Sequence, residues 1–303
     1  MGSAFTIIAF HIDSALANKI VDDAYRLVDS LNMIFSDYED SSEVTRLSAT
    51  AGKDSFVTVS PHLFKVVEQS QKAWKQTRGK FDITIGSLSR LWRSARKQKA
   101  FPEPVAIQEA LSKTGSQCMV LNSSLSKVKL LKPGMQLDLG GIAAGYIAQQ
   151  VAEFLSSRNI RSALVDASGD IVCTNAPPGK SGWTVAVNMP GEEDKYLEKT
   201  IELSNASVST SGDVYQYITH NGKRYSHIID ATTGYGTTFQ RNVTVIAADG
   251  SLADWLATAC SILPLRKAKR LARLHRAALL ITEMNNDQLK MHSTNSMQRY
   301  LGK

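Results

Sequence analysis

The amino-acid sequence predicts an α+β fold, and three patterns carry that prediction. Segments of helical period dominate the first half. Beyond Arg161 short apolar strands take over, separated by turns rich in glycine and proline such as Ala176-Pro177-Pro178-Gly179. Helices return only at Ser251 to Leu263 and Arg266 to His275, before a last hairpin. With no internal repeat and no low-complexity linker, residues 1–303 read as one unit with a mixed sheet and flanking helices. The length suffices for a substantial core, and two lobes with a ligand between them fit the pattern.

Phe5 to His11 reads as a strand, and Asp13 or Ser14 then caps a helix with apolar residues at Leu16, Ile20, Val21, Ala24, Leu27, Val28, Leu31 and Ile34. Polar turn formers from Phe35 to Glu43 end it. Ser60-Pro61 starts a helix whose buried stripe is Leu63, Val66, Val67 and Trp74. Arg78-Gly79-Lys80 is a glycine turn into Phe81-Asp82-Ile83-Thr84, an apolar segment enclosing a carboxylate. A second proline-started helix covers Pro104 to Lys113, and short strands follow at Met119 to Leu121 and Val128 to Leu130.

Leu137-Asp138-Leu139-Gly140-Gly141-Ile142 then reads as a buried strand delivering one carboxylate to a glycine turn and a helix, Ile142 to Leu155. Glycine lets a backbone approach a ligand closely, and a helix N-terminus suits an anion. Strands are expected at Ala163 to Val165, Ile171 to Cys173, Trp183 to Val187, Tyr215 to Thr219, Lys223 to Ile229 and Val243 to Ala247. Asn221-Gly222 marks a type I′ hairpin turn. The final hairpin pairs Ala278 to Ile281 with Leu289 to His292.

A net charge of +7, with 43% hydrophobic and 21% charged residues, is ordinary for a globular protein. The basic residues are dispersed. The stretch Arg90 to Lys99 carries only Trp92 among aromatics, which favours a solvated basic face over a nucleic-acid surface. Cys118, Cys173 and Cys260 are isolated, so neither a disulfide framework nor a metal-type cysteine pair is expected. No apolar run reaches the ~18 residues of a membrane span, and the N-terminus runs directly into a strand rather than a signal peptide.

Walker A, H-E-x-x-H, G-x-S-x-G and G-x-G-x-x-G signatures are absent. Three polar clusters remain. Ser209-Thr210-Ser211-Gly212-Asp213 can wrap an anion or simply form a polar turn. His227 at a strand end, with Asp230 three residues on, can move protons near neutral pH. Asp254 and Thr258, four apart on a helix, stack a carboxylate and a hydroxyl on one face, a donor set that suits Mg²⁺.

Taken together, the ordered motifs resemble the FAD:protein FMN transferase (ApbE) family over nearly the whole chain. They are Met1-Gly2-Ser3, Ser36-Asp37-Tyr38 with Ser42-Glu43, Gly79 to Thr84, Asp138 to Tyr146, Gly169-Asp170-Ile171, Trp183, Thr210 to Asp213, His227 to Asp230 with Thr233-Gly234, and Ala253-Asp254 with Ala257-Thr258. The resemblance implies an ApbE-like fold with an FAD cleft between lobes. It implies a Mg²⁺-dependent transferase that cleaves FAD, attaches FMN through a phosphoester bond to a Thr or Ser of an acceptor protein and releases AMP. An FAD diphosphatase yielding FMN and AMP is the alternative, or a non-catalytic FAD-binding protein.

Carried over by motif, Asp254 and Thr258 are implied metal ligands, with a backbone oxygen from the turn at Gly141. Met1, Tyr38, Lys80, Phe81, Asp82, Asp138 and Ile229 are implied to line the FAD site. His227, with Asp230, is expected to act at the reacting phosphate and Ser211 to hold its oxygens. The implied acceptor bears an Asp-Gly-x-(Ser/Thr)-Gly-Ala-(Ser/Thr)-like motif; Asp249-Gly250-Ser251 begins like it but diverges at Leu252-Ala253-Asp254.

The chain departs from the family pattern at Ala144, Ala231, Ala257 and Asp166 to Asp170, which bears on metal affinity and rate more than on FAD binding. The resemblance further implies work outside the cytoplasm, in the periplasm and in some members behind a membrane anchor, with any targeting segment upstream. A cytoplasmic location is the alternative.

Overall fold

Helix starts and strand periodicity organise the chain much as its residues dictate. The computed structural model describes residues 4–188, 196–212, 216–285 and 288–301. In chain order the elements are β1 (Phe5–Phe10), α1 (Ser14–Phe35), α2 (Glu43–Ser48), β2 (Val57–Thr58), α3 (Pro61–Thr77), α4 (Gly86–Gln98), α5 (Pro104–Ser112), β3 (Met119–Asn122) and β4 (Lys127–Leu130). They continue with α6 (Ala143–Ser157), β5 (Ser162–Ala167), β6 (Asp170–Cys173), β7 (Trp183–Asn188), β8 (Tyr196–Leu203), β9 (Ala206–Ser211), β10 (Tyr217–His220) and β11 (Lys223–Ser226). The last are β12 (Arg241–Ala247), α7 (Gly250–Ile262), α8 (Leu265–Leu274), β13 (Ala278–Asn285) and β14 (Gln288–Ser293).

Two compact units emerge. The sheet unit comprises Met1–Leu31, Ile142–Val214 and Gln240–Lys303; the helical unit comprises Asn32–Gly141 and Tyr215–Phe239.

The sheet unit is built on seven strands in the order β1-β5-β6-β9-β12-β13-β14, and every pairing is antiparallel. Its interior strand β12 is buried along its whole length, so both faces of the sheet are covered there. On one face Leu164, Val208, Ile246, Ala278 and Leu280 join Trp183, Val187, Ile201 and Leu203 of the β7–β8 hairpin in a single apolar cluster. Helices α6 and α7 pack on the sheet and against each other. Period-two alternation sends Val165, Val245, Leu279 and Ile281 to the opposite face from that cluster, and all four are buried.

In the helical unit, serine caps start two of the helices. Ser42 accepts from Thr45 N to start α2, and Ser60 accepts from Leu63 N with Pro61 in the first turn of α3. Glu43 of the Ser42-Glu43 motif accepts from Ser60 N and ties the two helix starts together. The core gathers Leu88, Trp92, Ile107, Ile218 and Ile229, and Trp92 Nε1 donates to Gly234 O at 2.8 Å.

Several local expectations change. The stretch Leu137 to Leu139 buries both leucines as expected but is not a strand: Gln136 makes one isolated parallel bridge to Ile85, and Asp138 N donates to Ile83 O at 2.7 Å. The Arg90 to Lys99 stretch lies largely in α4, with Trp92 and Ala95 buried, rather than forming a wholly solvated face. A denser run of cations lies on α8. Strand β11 stops at Ser226, where Ile228 N turns back to the Ser226 hydroxyl. Asn221 and Gly222 both have positive φ, as the hairpin turn requires. Helices α2 and α4 and strands β2, β8 and β9 lie outside the helices and strands expected from the sequence pattern.

Candidate active site

The implied site residues fall into two groups, one in each unit. In the helical unit the first group is assembled at the end of α3. Arg78 adopts the left-handed conformation at the helix C-cap and Gly79 follows with φ +83°, a value that favours glycine. The reversal delivers Lys80, whose Nζ bonds Asp230 Oδ2 and sits 2.7 Å from Thr232 Oγ1. Asp230 Oδ1 also accepts from Thr232 N and Oγ1, at 2.9 and 2.7 Å. Asp230 is therefore held by Lys80 and Thr232.

Phe81 is buried, and Asp82 is 6% exposed. The Asp82 carboxylate accepts from Thr84 N, Thr84 Oγ1, Ser116 N and Ser116 Oγ, at 2.7–3.0 Å. Four donors on one buried carboxylate fix the loop that carries Lys80 and Phe81. Ile229 contributes its side chain to the core and one bridge to Gly236.

A second cluster centres on Arg93 of α4. Its Nη2 bonds Asp37 Oδ2 and lies 3.1 Å from Asp138 Oδ2, while its guanidinium carbon is 4.4 Å from the centre of the Tyr38 ring. Asp138 Oδ1 accepts from Gly140 N at 2.8 Å. Burial, then the neighbouring Asp138, raises the Asp37 carboxyl above its ordinary range, with Arg93 opposing. Arg96, one turn further, has its pKa lowered by burial and by the Arg93 charge. The basic stretch had hidden both arginines. The only signal was their spacing beside the Leu88, Trp92 and Ala95 stripe.

His227 is half-buried, with Nδ1 3.2 Å from Gln216 O. A carbonyl oxygen only accepts, so Nδ1 carries the proton and Nε2 is the basic atom of the neutral ring. Burial and the Arg96 charge lower its pKa below the usual value, so the ring is neutral at pH 7. That is the state a general base requires. The Asp230 carboxylate is held by Lys80 and Thr232, and the His227 ring bonds Gln216 O instead. Gly141 lies half-buried in the turn after Asp138.

In the sheet unit, Asp254 lies in α7 and is 5% exposed. Its Oδ2 accepts from Gly145 N at 3.0 Å, supplying the first turn of α6, whose N-cap Ile142 offers no side-chain acceptor. Gly145 is required by packing, because a Cβ there would overlap Gly250 O and stand 2.7 Å from Asp254 Cβ. Burial raises the Asp254 carboxyl well above its usual range, and Asp170 adds like charge. Burial also pushes Asp170 up to about 7, against the lowering effect of Ser209, which faces it across the β6–β9 pair.

Thr258 is half-buried one turn beyond Asp254. Two desolvated carboxyls beside each other, with a hydroxyl at hand, form a hard-oxygen environment that a divalent cation would relieve. Among the described residues no cluster of three or more His, Cys, Asp or Glu is placed to hold a metal.

Ser211 closes β9 opposite Val243, and its carbonyl accepts from Ser261 Oγ at 3.5 Å. Met1 and Asp213 lie outside the described residues.

A model of the ApbE family matches residues 1–281. A FAD:protein FMN transferase of Klebsiella pneumoniae (strain 342) is 30% identical over 255 residues, covering 84% of this chain and 77% of the relative. One from Treponema pallidum (strain Nichols) is 30% identical over 274 residues, covering 86% and 75%. The solved structure of the flavin transferase ApbE from Vibrio cholerae superposes with a TM-score of 0.88 at 25% identity, covering 99% of this chain and 96% of that one. The apo flavinyl transferase ApbE of Pseudomonas stutzeri gives 0.86 at 26% identity, covering 99% and 93%.

Proposed function

This chain belongs to the ApbE family, and we propose that it cleaves FAD and transfers FMN to a Thr or Ser hydroxyl of an acceptor protein, releasing AMP. The observation that carries the reading is His227: a half-buried, neutral imidazole with its tautomer set by Gln216 O.

The acceptor oxygen attacks the phosphorus on the FMN side of the pyrophosphate and forms a new P–O bond. The bond from that phosphorus to the bridging oxygen breaks, and the electron pair leaves with AMP. The hydroxyl proton passes to His227 Nε2. Lys80, Asp230 and Thr232 form a braced polar group that orients the nucleotide, and Tyr38 offers an exposed ring for stacking. Asp82 keeps the Lys80–Phe81 segment in place. Ser211 is assigned to a phosphate oxygen.

Asp254, Thr258 and a backbone oxygen at Gly141 are assigned to Mg²⁺, which when bound neutralises pyrophosphate charge and steadies the charge that develops on AMP. Ala257, beside that set, keeps the carboxylate count low. The acceptor carries an Asp-Gly-x-(Ser/Thr)-Gly-Ala-(Ser/Thr)-like motif, and the work is assigned to the extracytoplasmic side of the membrane. Support for these finer assignments comes from the motifs and the donor chemistry.

The test is incubation with FAD, Mg²⁺ and an acceptor fragment bearing that motif. Covalent flavin fluorescence on the acceptor supports transfer. Free FMN and AMP with an unmodified acceptor supports hydrolysis, and intact FAD supports binding alone.

A further inference from the structure

Arg93 joins two of the residues assigned to FAD, although no motif points to it. Its guanidinium uses its edge and its face at once. The edge meets Asp37 and, at 3.1 Å, Asp138. The face lies against Tyr38, with the guanidinium carbon 4.4 Å from the ring centre. Arg93, Asp37 and Asp138 are 24%, 13% and 15% exposed at their side chains, whereas Tyr38 as a residue is 75% exposed. The ring is braced from the protein side and open on the other. We infer that Arg93 is a positioning residue for nucleotide binding, holding the Asp138 carboxylate and the Tyr38 ring in one arrangement.

Three physical points support this. First, the Asp138 carboxylate repels that of Asp37, and the Arg93 guanidinium bonded to both opposes the repulsion and fixes the pair. Second, Asp138 passes the constraint on, because its other oxygen holds Gly140 N and its own N–H is bound to Ile83 O. Third, the substrate is a polyanion. Without Arg93 the same surface would present two uncompensated carboxylates to it.

A guanidinium is suited to the task and an ammonium is not. Lysine would keep the charge but would lose the fork that bridges two carboxylates and the flat face that stacks on tyrosine. The inference rests on the flavin-transfer reading, since it concerns how FAD is held.

The test uses the full chain with Arg93→Gln, Arg93→Lys and the double variant Asp37→Asn/Arg93→Gln. FAD affinity is measured by flavin fluorescence without Mg²⁺, thermal unfolding is followed in parallel, and transfer kinetics are measured with acceptor. Loss of a charge-assisted brace predicts a rise in FAD Kd of about tenfold or more in Arg93→Gln. The loss should fall on KM for FAD more than on kcat, and Arg93→Lys should recover only part of it. The double variant, freed of one repelling carboxylate, should bind FAD more tightly than Arg93→Gln.

A folded Arg93→Gln protein with FAD affinity within about twofold of the parent overturns the inference. If Arg93→Gln does not fold, full affinity in folded Arg93→Lys overturns it instead. A parent protein that binds no FAD overturns the flavin reading itself, which is a separate result from unchanged affinity in the variants.

Discussion

Replacing Gly145 with alanine tests how the two buried helix starts hold Asp254. The backbone at Gly145 has no positive φ, so alanine is conformationally acceptable, and in an exposed helix it would stabilise by roughly 1 kcal/mol. Here the added methyl overlaps Gly250 O and stands 2.7 Å from Asp254 Cβ, both rigidly attached to α7. Overpacking of this kind costs about 1–3 kcal/mol. Pushing α6 off α7 also stretches the Gly145 N–H bond to Asp254, a charge-assisted contact worth about 1.5–3 kcal/mol. After the propensity gain is subtracted, the net loss is about 1.5–5 kcal/mol. At roughly 2–4 °C per kcal/mol for units of this size, Tm should fall by about 3–20 °C. Differential scanning calorimetry measures the change, and Mg²⁺-dependent FAD turnover of the folded protein should drop with it. An unchanged or raised Tm would refute the reasoning, because helix propensity would then outweigh a contact that is not made.

Further outcomes follow from the same geometry. His227→Asn should lower transfer by about 10²–10⁴-fold with little change in FAD affinity, read from single-turnover rates. The His227 pKa is lowered by burial and by Arg96, with Gln216 O and Asp138 opposing, so the parent rate should be flat at neutral pH and fall only as pH drops through a value below 6.5. Arg96→Met should move that limb to higher pH. Asp254→Asn keeps an acceptor for Gly145 N while removing a desolvated charge beside Asp170, so apo stability should hold or rise while Mg²⁺-dependent turnover is lost. Lys80→Met leaves Asp230 with Thr232 alone, which should cost about 1–3 kcal/mol by chemical denaturation, and adding Asp230→Asn should recover part of the loss.

Several local geometries could be read from residue types because their signals are strong. Ser60-Pro61, Asn221-Gly222 and the Asp254/Thr258 spacing each impose one local geometry, and each is where it was expected. Long-range pairings were less visible. Nothing local announces that Lys80 meets Asp230, or that Arg93 bridges Asp37 and Asp138, since those partners lie far apart in the chain. The stretch at Leu137 alternates like a strand, yet its backbone bonds run to Ile83 O, Gly86 N and the Ser48 hydroxyl, and it stays outside the sheets. Strand β9 hid for the opposite reason. Its serines and threonine read as a turn, but pairing to β6 and β12 buries Ser207 and Ser209 inside the main sheet.

The most direct measurement follows the acceptor and the leaving group together. With FAD, Mg²⁺ and an acceptor fragment in excess, mass spectrometry counts flavin bound covalently to the acceptor Ser or Thr while AMP is quantified in the same sample. Transfer predicts one AMP for each flavin attached, the attachment lost when the acceptor hydroxyl is replaced by alanine. AMP released with free FMN and an unmodified acceptor would contradict it.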